Sequence, residues 1–294
     1  MPRTTLTARR LHDRAEPVHA VTYFSPESRA ALDGLGYRGF WSGYFATRSA
    51  PLGPVPADVV TAAFYNFTAE RVAKALPAAW DVASPAAALA ARESSAAAAL
   101  RRCGVGDEEA ATVADLVQRA VASADTDGRV LYGANRALPW PSDPQARLWH
   151  ATTLLREHRG DGHVAVLTSE GLSGRECNVL HAAAGAVPAE MIKRARDYDD
   201  DQWALHQEAL RGRGLLDGDG TLTEQGRKFK RHIEDRTDAI ALPVLAGLDD
   251  SDVEALFQAL TPITRKVVAA GDVPAGTPMG LSRDDLDDGS ARLD

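Results

Sequence analysis

Residues 210–226 read LRGRGLLDGDGTLTEQG. Leu215 and Leu216 on one side and Leu222 on the other flank Asp217-Gly218-Asp219-Gly220. Asp-Gly is a dipeptide favoured by tight hairpin turns, whose central residues need positive φ. The pattern predicts a strand, a hairpin turn, and a second strand or helix cap. Just upstream, GRECNVLHAAAG, PAEMIKRARDY and DDDQWALHQEALRGRGLL follow one another as three helix candidates. Three helices and a β-wing make a winged helix-turn-helix.

Further out, the chain repeats itself, and a repeat changes the fold assignment more than any single motif. APLGPVPADVV (50–60) and AAAGAVPAEMI (182–192) superpose at a constant offset of 132 residues, so Gly53 meets Gly185, Val55 meets Val187, Pro56 meets Pro188 and Val60 meets Ile192. Leu35 and Gly39 fall on Leu167 and Gly171 at the same offset. In both copies Pro-Ala-Asp/Glu reads as a first helical turn, with proline at the first position and a carboxylate near the positive end of the dipole. Longer helices are predicted over 84–102 and 223–245, followed by acidic-started amphipathic segments over 106–121 and 249–263. The expected fold is mainly α with small β-wings, two winged helix-turn-helix units related by internal duplication. The expected divisions are a degenerate first unit (8–105), a connecting or dimerisation-type helix and linker (106–148), a second unit (149–248) with its wing near 215–223, a C-terminal dimerisation-type helix (249–270), and a loop with a disordered tail (271–294).

At 294 residues the chain is long enough for one large or two ordinary domains. No run approaches the ~18 apolar residues of a membrane span, and MPRTTLTARRLHDR lacks a secretory apolar stretch. A cytoplasmic protein without a membrane partner is expected. Cys103 and Cys177 form no CxxC pair, which argues against a disulfide framework or a thiolate zinc site. The net charge of −8 is opposite to the basic surplus of most compact nucleic-acid binders.

With these features in view, the sequence resembles the MarR superfamily of winged-helix regulators, and more closely an actinobacterial family of MarR-like proteins with two winged-helix units in one chain. The residues that carry the likeness are GYFATRSAPLG (43–53), FYNF (64–67), LREHRGDGH (155–163), AAAGAVPAE (182–190) and the wing, within about residues 8–270. The resemblance implies a pseudo-dimer within one chain, as a monomer or weak homodimer, in which the helices from Asp107 to Val121 and from Asp250 to Thr264 interlock. It also implies a small, often aromatic ligand held between the winged units and the dimerisation helices.

The DNA-reading face is poorly furnished. The candidate recognition helix opens on Asp199, Asp200 and Asp201, and like charge repels phosphate. Its basic residues, Arg211 and Arg213, come at its end, and the wing tip is acidic. In the first copy TAERVAKALPAAW looks packed. If DNA is bound, Arg211, Arg213, Arg227 and Lys228 are the candidate contacts. DNA is a possible but not favoured partner.

Chemistry concentrates where the copies meet. A helix is predicted over 145–158, with Leu148, Ala151, Leu154 and Leu155 on its buried face, then a tight turn at Gly160 and Gly162 and a new helix from His163. Glu157, His158, Arg159, Asp161 and His163 cluster there. One account makes them caps and local ion pairs. The other turns them toward a pocket where Tyr44, Arg48 and Asn66 meet them, because a buried Arg48 or Asn66 requires a partner. No cofactor is expected. Metal bound by Glu157, His158 and His163 is a weaker alternative, since the spacing fits no standard motif. No nucleophile motif appears, and acid–base catalysis by His163 or Glu157 is permitted without being indicated. The ranking is a small-molecule binder that senses or sequesters, then a ligand-responsive DNA-binding regulator, then an enzyme built on the same pocket.

Overall fold

The computed structural model describes residues 3–185, 187–274 and 286–287, so most of the tail expected to be disordered lies outside the described residues. The chain begins with α1 (Thr5–Phe24), α2 (Pro26–Leu35), α3 (Phe40–Ser49), α4 (Ala57–Phe64), and the short α5 (Ala69–Ala73) and α6 (Ala79–Val82). Then come α7 (Pro85–Arg102), α8 (Asp107–Ala122), α9 (Val130–Arg136) and the long α10 (Pro144–Ser169). The last part comprises α11 (Gly174–Ala183), α12 (Ala189–Arg196), α13 (Asp200–Gly212), α14 (Glu224–Ala241) and α15 (Asp250–Ala270). No helix among the described residues is long and apolar enough to cross a membrane.

The repeat's best-matched segments form α4 and α12, equal in length. Pro56 and Pro188 take the N-cap position, one residue earlier than the sequence suggests. Gly53 and Gly185 adopt φ of 75° and 76°, Gly39 and Gly171 φ of 76° and 62°, all left-handed turns that favour glycine. Val60 and Ile192 are both buried. Elsewhere the halves differ. Where the second half has α13, the first has only α5, a turn through Leu76-Pro77 and α6, with Val72, Ala75 and Leu76 buried.

Two sequence expectations need correction. The wing is a single antiparallel bridge, Leu216 to Leu222, and no strand forms among the described residues. The Asp217 carboxylate accepts from the backbone N–H of Asp219 (3.0 Å) and Thr221 (2.9 Å), folding the tip tightly, and α14 starts two residues after the bridge. The second concerns α10, which runs unbroken through Gly160 and Gly162 where a turn and a new helix were predicted. Gly162 is there for close approach: a Cβ on it would lie 2.7 Å from Arg129 Nη1 and 3.0 Å from Ile240 Cδ1. That guanidinium is fixed, donating to the carbonyls of His158 (2.8 Å) and Ile240 (2.9 Å).

α10 is buried on nearly every side because α1, α7, α8, α9 and α14 all pack on it. The central core joins Leu148, Leu154 and Trp149 of α10 to Val18 of α1, Val117 of α8 and Leu256 of α15. One outer core gathers Phe45, Phe64, Phe67 and Leu76 from α3 to α6, and the other gathers Val179, Ile192, Trp203 and Leu210 from α11 to α13. A seam joins the outer lobes directly. Tyr65 Oη donates to the Leu172 carbonyl (2.6 Å), Asn178 Nδ2 to the Asn66 carbonyl (2.8 Å), and Thr68 Oγ1 to the Arg196 carbonyl (3.1 Å). Lys74 pairs with Asp197 across the same seam.

Gly174 is pressed so closely that a Cβ would sit 1.9 Å from the Tyr65 carbonyl oxygen, whereas at Gly160 nothing lies within 3.8 Å. Gly174→Ala is therefore expected to lower unfolding free energy by about 1–3 kcal/mol through overpacking. Gly160→Ala is expected to leave it unchanged or raise it by up to ~1 kcal/mol, the helix-propensity difference. Urea titration of both variants checks the contrast, and a Gly174→Ala variant as stable as the parent would contradict the seam.

Candidate functional site

Between the central helices and the outer lobes lies a cavity of about 380 Å³, within the size range of small-molecule sites. Residues 156, 157, 159, 160, 161, 163, 164 and 167 of α10 line one wall, with 156, 160, 163, 164 and 167 at the spacing of a single helical face. Of the side chains singled out in the sequence, Tyr44, Arg48, Asn66, Glu157, Arg159, Asp161 and His163 all line this cavity. His158 does not. One residue on from Glu157 rotates it about 100° around the helix, and its ring meets Tyr132 edge-on at 5.0 Å. Glu157, His158 and His163 are thus not brought to one point. No group of three His, Cys, Asp or Glu placed to hold a metal occurs among the described residues.

The centre of the site is a chain of buried charges. Arg156 Nη1 donates to Glu157 Oε2 (2.7 Å), and Arg48 Nε lies 3.6 Å from Glu157 Oε1. Burial pushes the Glu157 carboxyl up, but Arg156 and Arg48 outweigh it and hold it down at about 2. Arg48 also donates to Tyr44 Oη (3.1 Å) and lies over the Phe64 ring at 4.0 Å. Arg196 of α12 stacks on Phe67 at 3.8 Å, and burial lowers its pKa to about 10.

Other predicted residues have structural partners as well. Arg159 Nη2 donates to Asp238 (2.9 Å) and Glu234 (3.3 Å), which also hold Arg9. Asp161 Oδ2 accepts from the Tyr132 backbone N–H (2.8 Å) in the first turn of α9. His163 Nδ1 is 2.9 Å from Thr237 Oγ1, whose hydroxyl already donates to the Ile233 carbonyl. Nδ1 must then carry the proton, leaving Nε2 an acceptor. Burial, with the nearby cations, outweighs the opposing Glu234 and holds His163 at about 4, so it is neutral at pH 7.

Sequence reasoning missed the contribution of α1. His12, Glu16 and Tyr23 line the cavity, and Glu16 is only 1% exposed. Neither Glu16 oxygen has a hydrogen bond, and its nearest cation is Arg156 Nε at 3.5 Å. Burial raises its pKa, with Glu157 adding to the effect. Arg48 Nε, Arg196 Nε, Asn66 Oδ1 and His12 Nε2 are likewise enclosed without a hydrogen bond. A signal was available: His12, Glu16, His19 and Tyr23 recur at steps of four, three and four, a polar stripe at helical spacing.

The basic residues considered for DNA are largely engaged within the protein. Arg211 donates to the Asp217 carbonyl (3.1 Å) and Arg213 to those of Gly171 (2.9 Å) and Glu170 (3.1 Å). Arg227 reaches the Leu222 carbonyl (2.7 Å), and Lys228 pairs with Glu224 at 2.7 Å. The exposed face of α13 presents Asp200, Asp201, Glu208 and Leu205, the last 67% exposed. Cys103 and Cys177 are free thiols, and burial pushes Cys177, which lines the cavity, up to about 12.

Among families of known sequence, one described as a helix-turn-helix family matches residues 8–274, and the chain belongs to it. No curated protein and no solved structure matches the chain.

Asp161 supplies a pH prediction. Burial, reinforced by Glu157, raises its pKa from 3.8 to about 6. The folded state therefore keeps the proton after the unfolded chain has released it, so Asp161's contribution is complete below about pH 4 and is lost as pH rises through 6. At most it amounts to ~3 kcal/mol. In urea titrations from pH 4 to 7, Asp161→Asn is expected to lose less stability than the parent, and parallel curves would refute the assignment.

Proposed function

We propose that this chain is a MarR-like tandem winged-helix protein that binds a small molecule in the cavity between its halves, for sensing or sequestration, with DNA binding weakened. The matched helices α4 and α12, the bridge between α13 and α14, and the packing of α8 against α15 support the tandem reading. The observation that carries the binding reading is the set of enclosed polar atoms around the cavity without hydrogen bonds. Leaving such a group unsatisfied costs about 1–3 kcal/mol, and a bound molecule with complementary groups offsets that cost. Phe40, Trp41, Tyr44, Phe64 and Phe67 supply an aromatic wall, and the cations beside it favour an aromatic ligand carrying an anionic group. Weakened DNA binding rests on the acidic start of α13, its engaged arginines and the short, packed α5.

Membership in a helix-turn-helix family favours a second reading, a ligand-responsive regulator that still binds DNA through α13. An electrophoretic mobility-shift assay on the upstream region of the protein's own gene, at two salt concentrations, separates the two. Specific, salt-sensitive binding supports the regulator.

For the cavity, a thermal-shift screen of aromatic acids is expected to yield stabilising ligands. Arg48→Met is expected to weaken the best of them about tenfold or more, the loss of a charge-assisted hydrogen bond. Ligand affinity unchanged in both Arg48→Met and His163→Ala would overturn the site.

A further inference from the structure

The charged unmet groups of the cavity are sorted by sign. On α1 the charged group is Glu16, a side chain 1% exposed that lines the cavity, whose two oxygens have no hydrogen-bond donor among the described residues and only Arg156 Nε nearby at 3.5 Å; His12 Nε2 is unmet on the same helix. Tyr23 extends that wall. His19 Nδ1 lies 2.9 Å from Thr153 Oγ1, whose hydroxyl donates to the Trp149 carbonyl, so His19 Nε2 accepts and Tyr23 Oη (3.0 Å) donates to it. The Tyr23 hydroxyl proton is thereby used, and only its lone pairs remain.

On the outer-lobe side the charged unmet groups are donors, Arg48 Nε of α3 and Arg196 Nε of α12, each stacked on an aromatic ring that lines the cavity, with the neutral Asn66 Oδ1 unmet beside them. Arg48 shares Glu157 with Arg156. The titratable groups that act most on Arg196 are Tyr44, Arg48, Tyr198 and Arg71, with no carboxylate among them. An enclosed guanidinium without a counter-anion and an enclosed carboxylate without a donor are both costly. They line one cavity, together with Tyr44, Phe64 and Phe67. A simple aromatic acid would satisfy the arginines and leave Glu16 unmet.

We infer that the cavity selects an amphoteric aromatic molecule, with an anionic group held by Arg48 and Arg196 and a protonated amine held by Glu16. The inference rests on the binding reading above and adds the polarity of the ligand. Glu16 is the specificity-determining residue: it favours ligands with an amine at the end remote from the acid, and its carboxylate accepts two hydrogen bonds from an ammonium group. Burial raises the Glu16 pKa in the empty cavity, and an ammonium counter-ion brings it down on binding.

The test is calorimetric titration of the full chain with para-disubstituted benzenes bearing an aminoalkyl and a carboxyalkyl arm of one to three methylenes. Each is run beside the analogues that replace the amine, or the acid, by methyl. The best zwitterion is expected to bind at least about tenfold more tightly than its acid-only analogue, as a charge-assisted pair allows. Glu16→Gln, which keeps the shape and removes the charge, is expected to abolish that preference. Acid-only compounds that bind the parent as tightly as the zwitterions overturn the inference and leave the cavity reading intact, and this comparison needs no variant to fold. A zwitterion preference that survives in Glu16→Gln removes Glu16 from its role. If no member of the series binds, the cavity reading fails and the inference with it.

Discussion

Glu157 is a carboxylate 2% exposed, held between Arg156 at 2.7 Å and Arg48 at 3.6 Å. A charge taken that far from water costs several kcal/mol unless it is paired, and removing one partner of such a pair costs about 3–5 kcal/mol. The pairing therefore fixes geometry over a wide area. Arg48 holds α3 against α10, and Arg156 reaches on to Glu16 of α1. Two N-terminal helices and the distant α10 meet at one ionic chain, and the cavity is the space around it.

The roof is held differently. Where α3 meets α10 through side-chain charge, the outer lobes add backbone to the ion pairs Lys74–Asp197 and Arg175–Glu70: the carbonyls of Asn66, Leu172 and Arg196 each accept a hydrogen bond from a side chain of the opposite lobe. Tyr65, with φ of 51°, turns its carbonyl against Gly174 at a distance that leaves no room for a side chain. Backbone contacts of this kind tolerate little sliding, since a shift of about one ångström breaks a hydrogen bond. The two lobes meet as a fitted joint.

Much of this was legible in the sequence because the signals were local. Asp199 and Thr223 cap helices where side-chain hydrogen bonding to the backbone predicts a start, and Asp217-Gly218 turns the chain where expected. The offset of 132 residues located α4 and α12 through four glycines and two prolines whose conformations depend on little else. The glycines of α10 misled for the opposite reason. Gly162 answers to Arg129 and Ile240, residues 33 positions before it and 78 after it, and no local propensity registers that. The same limit governed the site. The aromatic run and the α10 face were visible as spacing, whereas the burial of Glu16 depends on α10 packing against α1, which the polar stripe of α1 does not by itself reveal.

At the repeat offset, Glu157 corresponds to Ser25, and the helix that continues through Glu157 is broken at Ser25-Pro26 into α1 and α2. A homodimer must place the same side chain at both symmetry-related positions, so any pocket on its axis is either two-fold symmetric or present twice. Joining both halves in one polypeptide lifts that constraint. Selection can then keep an acid at one position and a helix break at its counterpart. On the binding reading proposed above, the chamber is uneven and takes its contents in one orientation, one per chain.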